Sequence, residues 1–250
     1  MTTHLYCVLP YAIRGEVPAG LSGVAGARVR ALPVDGLVAW VSDAERGLAV
    51  SIDGIRAHND VVEAAMATGS TPVPARFGQR FDNDDACRNA LASRADAVEP
   101  LLATMQGLVE MTLIITPSTR RMVGELEPVL PEMFDPTTQG AGRRYLDTLR
   151  KREMKTGEIN HATDDVADAL NAAAQPFVRR TLAHQAVTPL PLRTISHLIA
   201  RDDVDSYQAA VRGVEGGAEF RFLVIGPRAP YSFCALGEEA GGTHGMNLAD

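Results

Sequence analysis

Apolar positions along the chain recur with two different periods. In "LYCVLPY" (Leu5 to Tyr11) and "GLVAWVSD" (Gly36 to Asp43) they crowd into short runs that predict strands, separated by a Gly-rich stretch from Gly15 to Gly26 that predicts loop. In "GIRAHNDVVEAAMATG" the spacing changes to three and four, so Ile55, Val62 and Met66 fall on one face of a helix that Gly69 stops. "TPVPARFGQRF" follows, and its two prolines predict an edge strand or extended segment rather than a central strand. Through "DNDDACRNALASRADAVEPLLATMQG", Cys87, Leu91, Ala95, Val98, Leu102 and Met105 form one amphipathic stripe, which Pro100 kinks or divides. "VEMTLIIT" (Val109 to Thr116) predicts a further strand.

This order supplies the parts of a ferredoxin-like α+β sandwich with its first helix replaced by loop. Pro117 to Gly142 is rich in Pro, Gly and Thr without a clear period, which predicts a linker with room for a short helix. Two helical stretches come next, "RRYLDTLRKREM" and "TDDVADALNAAAQPFVRRTLAHQ"; in the second, Val166, Leu170, Ala173 and Phe177 share a face until Pro176 bends the path. The segment from "LPLRTISHLIA" to "FRFLVIGP" reads as strand, turn with an Asp cap at Asp202 or Asp203, helix with Val204, Tyr207, Val211 and Val214 on one face, and final strand, a β-α-β unit. The expected fold class is therefore α+β. A ferredoxin-like domain spans 1–117, a linker 118–142, and a second α+β domain with two long helices and a small sheet 143–236. The tail 237–250 has too little apolar content to pack and is expected to be disordered.

Composition narrows the function classes. With 250 residues, 46% hydrophobic and only 5% aromatic, the chain can build a core on Ala, Val, Leu and Ile without a metal or disulfide staple. A net charge of −7 argues against a protein that coats nucleic acid or an anionic bilayer. Cys7, Cys87 and Cys234 are odd in number and far apart, which reads as reduced thiols of a cytosolic protein. The N-terminus lacks a basic leader followed by a long apolar run, and no later segment approaches the roughly 20 apolar residues of a membrane helix, so a cytoplasmic protein is expected.

Little in the sequence demands catalysis. His58 lies on the apolar-rich side of its helix, where a general base is conceivable, but no Ser, Cys or acid stands at a spacing that completes a dyad, and a structural histidine is favoured. His4, His161, His184, His197 and His244 are scattered, with no two at the i, i+4 spacing of a helical zinc site. Asp82, Asn83, Asp84 and Asp85 suggest a calcium loop only weakly, lacking its central Gly and terminal Glu; a helix cap explains them better. Arg143, Arg144, Arg150, Lys151, Arg152 and Lys155 are balanced by Asp147 and Glu153 and read as a solvated helix face, with an acidic protein patch ahead of nucleic acid as a partner. "LSGVAGA" lacks the context of a dinucleotide site, and neither a Walker lysine nor a nucleophile elbow is present. No catalytic, cofactor-binding or metal-ligating residue is assigned.

The closing stretch "FRFLVIGPRAPYSF" is the most pointed feature. Two prolines fix where Tyr231 and Phe233 project, either as an internal lock of the C-terminal strand or as an anchor for a partner, with the lock favoured. Together with "PARFG", "GRRYLDTLRKRE" and "ISHLIARDDVDSYQAAV", it resembles the gas vesicle accessory proteins of the F/L family over nearly the whole chain, from about Leu5 to Phe233. The departures are modest: Pro74-Ala75 and Arg228-Ala229 stand where the family usually has other choices, and the tail beyond Phe233 is an addition. The resemblance implies a non-enzymatic assembly factor or minor component of the gas vesicle, the gas-filled protein shell that gives cells buoyancy. It implies no cofactor, and association with the small, strongly hydrophobic structural shell protein (GvpA type) and with other accessory proteins. Arg76, Phe77, Tyr231 and Phe233 become the partner-binding candidates. The alternative is a ferredoxin-like small-molecule enzyme or ligand-binding protein, with His58 and Arg76 as its first polar groups.

Overall fold

Alternating and continuous apolar runs resolve into nine strands in two sheets among the residues that the computed structural model describes. These are 1–11, 16–47, 49–118, 141–185, 192–214 and 219–234, with side chains described outside 141–153, 155–156 and 185. Apart from Ser118, Ala141 and Gly142, the expected linker lies outside them, as does the tail 237–250.

The first sheet runs β2 (Arg30–Val34), β3 (Leu37–Ala44), β1 (Thr2–Pro10), β4 (Val73–Pro74), with β5 (Arg80–Phe81) also paired to β1, all antiparallel. Strand β2 does not stand out in the sequence because Pro33 interrupts it; as an edge strand it tolerates the missing donor. Asp35-Gly36 turns it into β3, with Gly36 at φ +79, a conformation that glycine adopts without a Cβ clash. The residues Thr3 to Leu9 of β1 are all buried, and neighbouring side chains show why. Thr3 donates to Asp84 at the start of α2 (Asp84–Ala92), while His4 bonds His58 of α1 (Ile52–Met66), so the two helices cover opposite faces of the strand.

Both helices start on caps legible in the sequence. Ser51 Oγ accepts from the Gly54 N–H, and Asn83 Oδ1 accepts from the Ala86 N–H ahead of Asp84 and Asp85 in the first turn. The acidic run thus opens a helix. Helix α3 (Ala95–Met105) follows after a break at Ser93 and Arg94, six residues before the proline expected to cause it; Pro100 sits inside α3.

The largest departure concerns 109–116. Expected as the last strand of the first domain, it is β6 (Leu108–Pro117) and pairs in the second sheet, whose order is β7 (Val178–Gln185), β8 (Arg193–Ala200), β6, β9 (Phe220–Arg228). The second long helical stretch is also revised. Helix α4 (Ala141–Ala174) is one 34-residue helix that buries Ile159, Thr163, Ala167, Leu170 and Ala174 at helical spacing, and it ends before Pro176, which has no N–H to continue the ladder. The 178–185 segment beyond is strand β7, not helix. With α5 (Val204–Arg212), the second unit reads β6-α4-β7-β8-α5-β9, the β-α-β-β-α-β order of the split β-α-β motif.

Two compact units result: Met1–Val109 with the segment from Arg228, and Glu110–Pro227. The chain therefore changes unit inside β6 and again at the end of β9. The division read from the sequence placed Val109–Pro117 with the first domain and Arg228–Cys234 with the second. In the second unit His197 ties the sheet to both helices, since Tyr207 Oη donates to Nδ1 (2.8 Å) and Nε2–H donates to Asn171 Oδ1 (2.9 Å). Burial holds that imidazole neutral, at a pKa of about 4.

Candidate partner-docking surface

The segment that carries "PARFG" is fixed by both β1, with which Val73–Pro74 pairs, and α1. Ala75 donates its N–H to the Tyr6 carbonyl (2.8 Å), and its own carbonyl accepts from His58 Nε2–H (3.0 Å). That assigns the His58 tautomer: Nδ1 is unprotonated and accepts from His4 Nε2–H at 3.0 Å. The rings of His4, Tyr6, His58 and Phe77 pack edge to face or tilted, with centroids 4.8–5.8 Å apart. Tyr6 Oη accepts from the Val24 N–H and bonds Ser42. Gly54 is shaped to this cluster, since a Cβ there would stand 3.1 Å from the Phe77 ring. Burial lowers the pKa of both histidines, that of His4 to about 4, with the His58 and Arg80 charges adding to the effect at His4.

His58 therefore uses both ring nitrogens in structural bonds, in keeping with the structural role its position favours. A separate cavity of about 320 Å3 opens at the β1–α2 corner, lined by Thr3, Asp43, Asp82, Asp84 and Asp85 among others; it includes neither His58 nor Arg76. Among the described residues no group of three His, Cys, Asp or Glu side chains is placed to hold a metal ion.

What α1 shows outward is mixed: Ile52 and Ile55 stand among exposed Asp53, Arg56, Asn59, Asp60 and Glu63. Its buried stripe is Gly54, His58, Val61, Val62, Ala65 and Met66, and Ile55, expected on that face with Val62 and Met66, lies at its margin, 38% exposed. Ile52 is 70% exposed and Val50, just before the cap, 77%. Ile52, Ile55 and Asn59 follow one another at i, i+3 and i+7, a single line along the helix. At its far end Asn59 Oδ1 accepts a hydrogen bond from Tyr231 Oη (3.1 Å).

The four residues singled out in the sequence thus lie in the first unit, at this helix or in the segments around it. Arg76 is exposed and Phe77 half-buried next to Gly54; Tyr231 is half-buried on Asn59, its phenol pKa raised by burial; Phe233 is buried. Sequence reasoning missed Val50 and Ile52, although the offset of Ile52 from the 54-58-61-65 stripe is a legible sign that it does not belong to the core.

The two helix-bearing sheets define a two-unit α+β protein, and the exposed apolar pair Ile52 and Ile55 of α1 lies beside the charged residues Asp53 and Arg56, with Phe77 and Tyr231 at its borders. The chain belongs to the family described as "Gas vesicle synthesis protein GvpL/GvpF", whose profile matches residues 2–235. It is 26% identical to Gas vesicle protein F of Streptomyces sp. (strain CB03234) over 246 residues, 93% of this chain and 99% of that protein. To Gas vesicle protein L of the same strain it is 26% identical over 235 residues, 91% of this chain and 81% of the relative. Among solved structures it is similar to GvpF from Anabaena sp. PCC7120, with a TM-score of 0.72 at 16% identity over 95% of this chain and 99% of that one. The likeness to GvpF from Microcystis aeruginosa has the same TM-score at 17% identity, covering 94% and 99%. These two likenesses establish the fold, and family membership ties the chain to gas vesicles. No helix among the described residues is long and apolar enough to cross a membrane.

Proposed function

We propose that this protein is a non-enzymatic assembly factor or minor component of the gas vesicle that acts in the cytoplasm, binding the hydrophobic shell protein while the shell nucleates and grows. The observation that carries the reading is the exposed line Ile52–Ile55 with Val50 beside it, bordered by Phe77 on Gly54 and Tyr231 on Asn59. A shell subunit with one face suited to gas aggregates in water, and a partner that offers apolar surface of its own shields that face. Aromatic anchors held in place by the fold suit such a contact, because little side-chain freedom is lost on binding. Arg76, exposed between the fixed Ala75 and Phe77, supplies a polar contact at the rim, and other gas vesicle accessory proteins are further partners. We also read the first sheet as a ferredoxin-like arrangement that has lost its first helix: its order β2-β3-β1-β4 repeats that of the second unit, which supports the reading.

Co-expression with the major shell protein tests the function. An Ile52→Asp/Ile55→Asp variant is expected to retain at least about tenfold less shell subunit on purification, the factor that corresponds to about 1.4 kcal/mol. Its melting temperature should stay within a few degrees of wild type, since both positions are exposed. Equal retention by a folded variant would overturn the placement of the docking surface on α1.

A further inference from the structure

The His4–His58 pair lies directly beneath that surface, and its hydrogen bonds run in one direction. His4 Nε2–H donates to His58 Nδ1, and His58 Nε2–H donates to the Ala75 carbonyl. The remaining ring nitrogen, His4 Nδ1, is buried and has no hydrogen-bond partner among the described residues. It is the one vacant basic site of the chain of bonds. A proton placed there becomes a buried N–H without an acceptor, in a setting where no described carboxylate bonds either ring. The charged or titratable neighbours are Tyr6 of β1, whose phenol is held neutral by burial, and Arg80 of β5, whose charge opposes a second cation at His4. Phe77 closes the cluster from the loop with an uncharged ring.

We propose that the His4–His58 pair is an acid-released latch: its neutral, one-way hydrogen-bond chain holds the Val73–Phe77 segment on α1, and protonation requires that segment to come away. In the closed cluster a proton on His4 Nδ1 meets no acceptor among the described residues, so acid favours the open form. The sign follows from the lowered pKa values. The closed form is favoured in full above the ordinary histidine pKa of 6.5, and the advantage is lost as pH falls from there toward about 4, the value held by His4. For each imidazole that becomes protonated on opening, the open population rises about 25-fold between pH 7 and pH 5. The consequence for docking rests on the function proposed above, because release of Phe77 from Gly54 deforms the contact face. The chemistry of the latch does not depend on that reading.

Hydrogen exchange of the full-length protein tests it, comparing the Ala75 amide with the amides of Val38–Val41 in β3, which carry no histidine. Protection factors, corrected for intrinsic exchange, are expected to fall at Ala75 at least tenfold more than in β3 between pH 7 and pH 5. In His4→Gln/His58→Gln, where each amide side chain keeps a donor and an acceptor but does not titrate, the difference should shrink below twofold. No relative loss at Ala75 in wild type, or an equal loss in the glutamine variant, overturns the latch. Should the variant not fold, the imidazole C2 protons of wild type decide: both must stay neutral for as long as Ala75 remains protected. Ordinary titration near 6.5 with Ala75 still protected overturns the proposal. None of these readouts involves the shell protein, so failure of the docking reading leaves them unchanged.

Discussion

Replacing Gly226 by alanine is expected to destabilise the second unit by about 3 kcal/mol or more, one of the two largest single-site losses we anticipate. The residue sits in β9 at φ +126, a region that side-chain-bearing residues rarely enter. A Cβ there would stand 2.6 Å from the Glu110 carbonyl oxygen, 2.8 Å from Met111 Sδ and 3.2 Å from Met111 Cα. Two of those atoms are backbone of β6, an interior strand of its sheet, so the clash is not relieved by turning a side chain. Gly69→Ala is the control. Its φ is also positive, +88, but a Cβ meets nothing within 4 Å, and the expected loss is about 1 kcal/mol. Urea unfolding followed by far-ultraviolet circular dichroism separates them: at a slope of about 2–3 kcal/mol per molar, Gly226→Ala lowers the midpoint by about 1 M or more, several times the shift of Gly69→Ala. Similar shifts for the two would show that the close approach to β6 is not what constrains this position.

The closing motif gives the second large effect. Phe233 is 6% exposed and lies in the segment that rejoins the first unit, so Phe233→Ala should destabilise that unit by about 3–5 kcal/mol. Tyr231→Phe removes only the hydrogen bond to Asn59 and should cost about 1 kcal/mol. Trp40 is fully buried in β3 of the same unit and is the single tryptophan of the chain, so its fluorescence reports this unfolding directly. The two roles considered for the motif then separate. A lock shows itself as lost stability with shell binding retained wherever the variant is folded, whereas an anchor shows itself as lost binding at unchanged stability. Burial of Phe233 favours the lock for that residue, and the half-exposure of Tyr231 on Asn59 leaves it available for both.

Much of this fold is legible from local pattern because its physical causes are local. Ser51 and Asn83 cap the helices they precede, and the runs at Leu5 and Gly36 are strands because apolar residues there are buried on both faces. The 204–212 helix instead follows a 3-10 turn at Arg201–Asp203, and the cap expected from Asp202 or Asp203 is not made. What the pattern does not carry is partnership. The alternation at 109, 111, 113 and 115 announces a strand and a buried face, yet the same residues serve equally well in either sheet; the choice is made by β8 and β9 more than 80 positions away. In the 178–185 run Val178, Leu182 and their neighbours fit a helical spacing as well as a strand, and the end of α4 before Pro176 decides between the two. The site divides in the same way. "PARFG" and Tyr231 are visible as unusual segments, but the bonds that tie them to His58 and Asn59 span 17 and 172 positions, and no local rule pairs them. Val50 and Ile52 are apolar like any core residue, and only the fold leaves them outside.

The central claim is that the shell protein docks on α1. A photo-crosslinking amino acid placed at Ile55, and separately at Leu223, tests it in assembling cells; Leu223, in β9 of the second unit, is a comparably apolar residue, 56% exposed. Crosslinks to the shell subunit from position 55, with few or none from position 223, are the predicted result. Crosslinks from 223 with none from 55, in variants that both fold and accumulate, would contradict the account and move the docking surface to the second sheet.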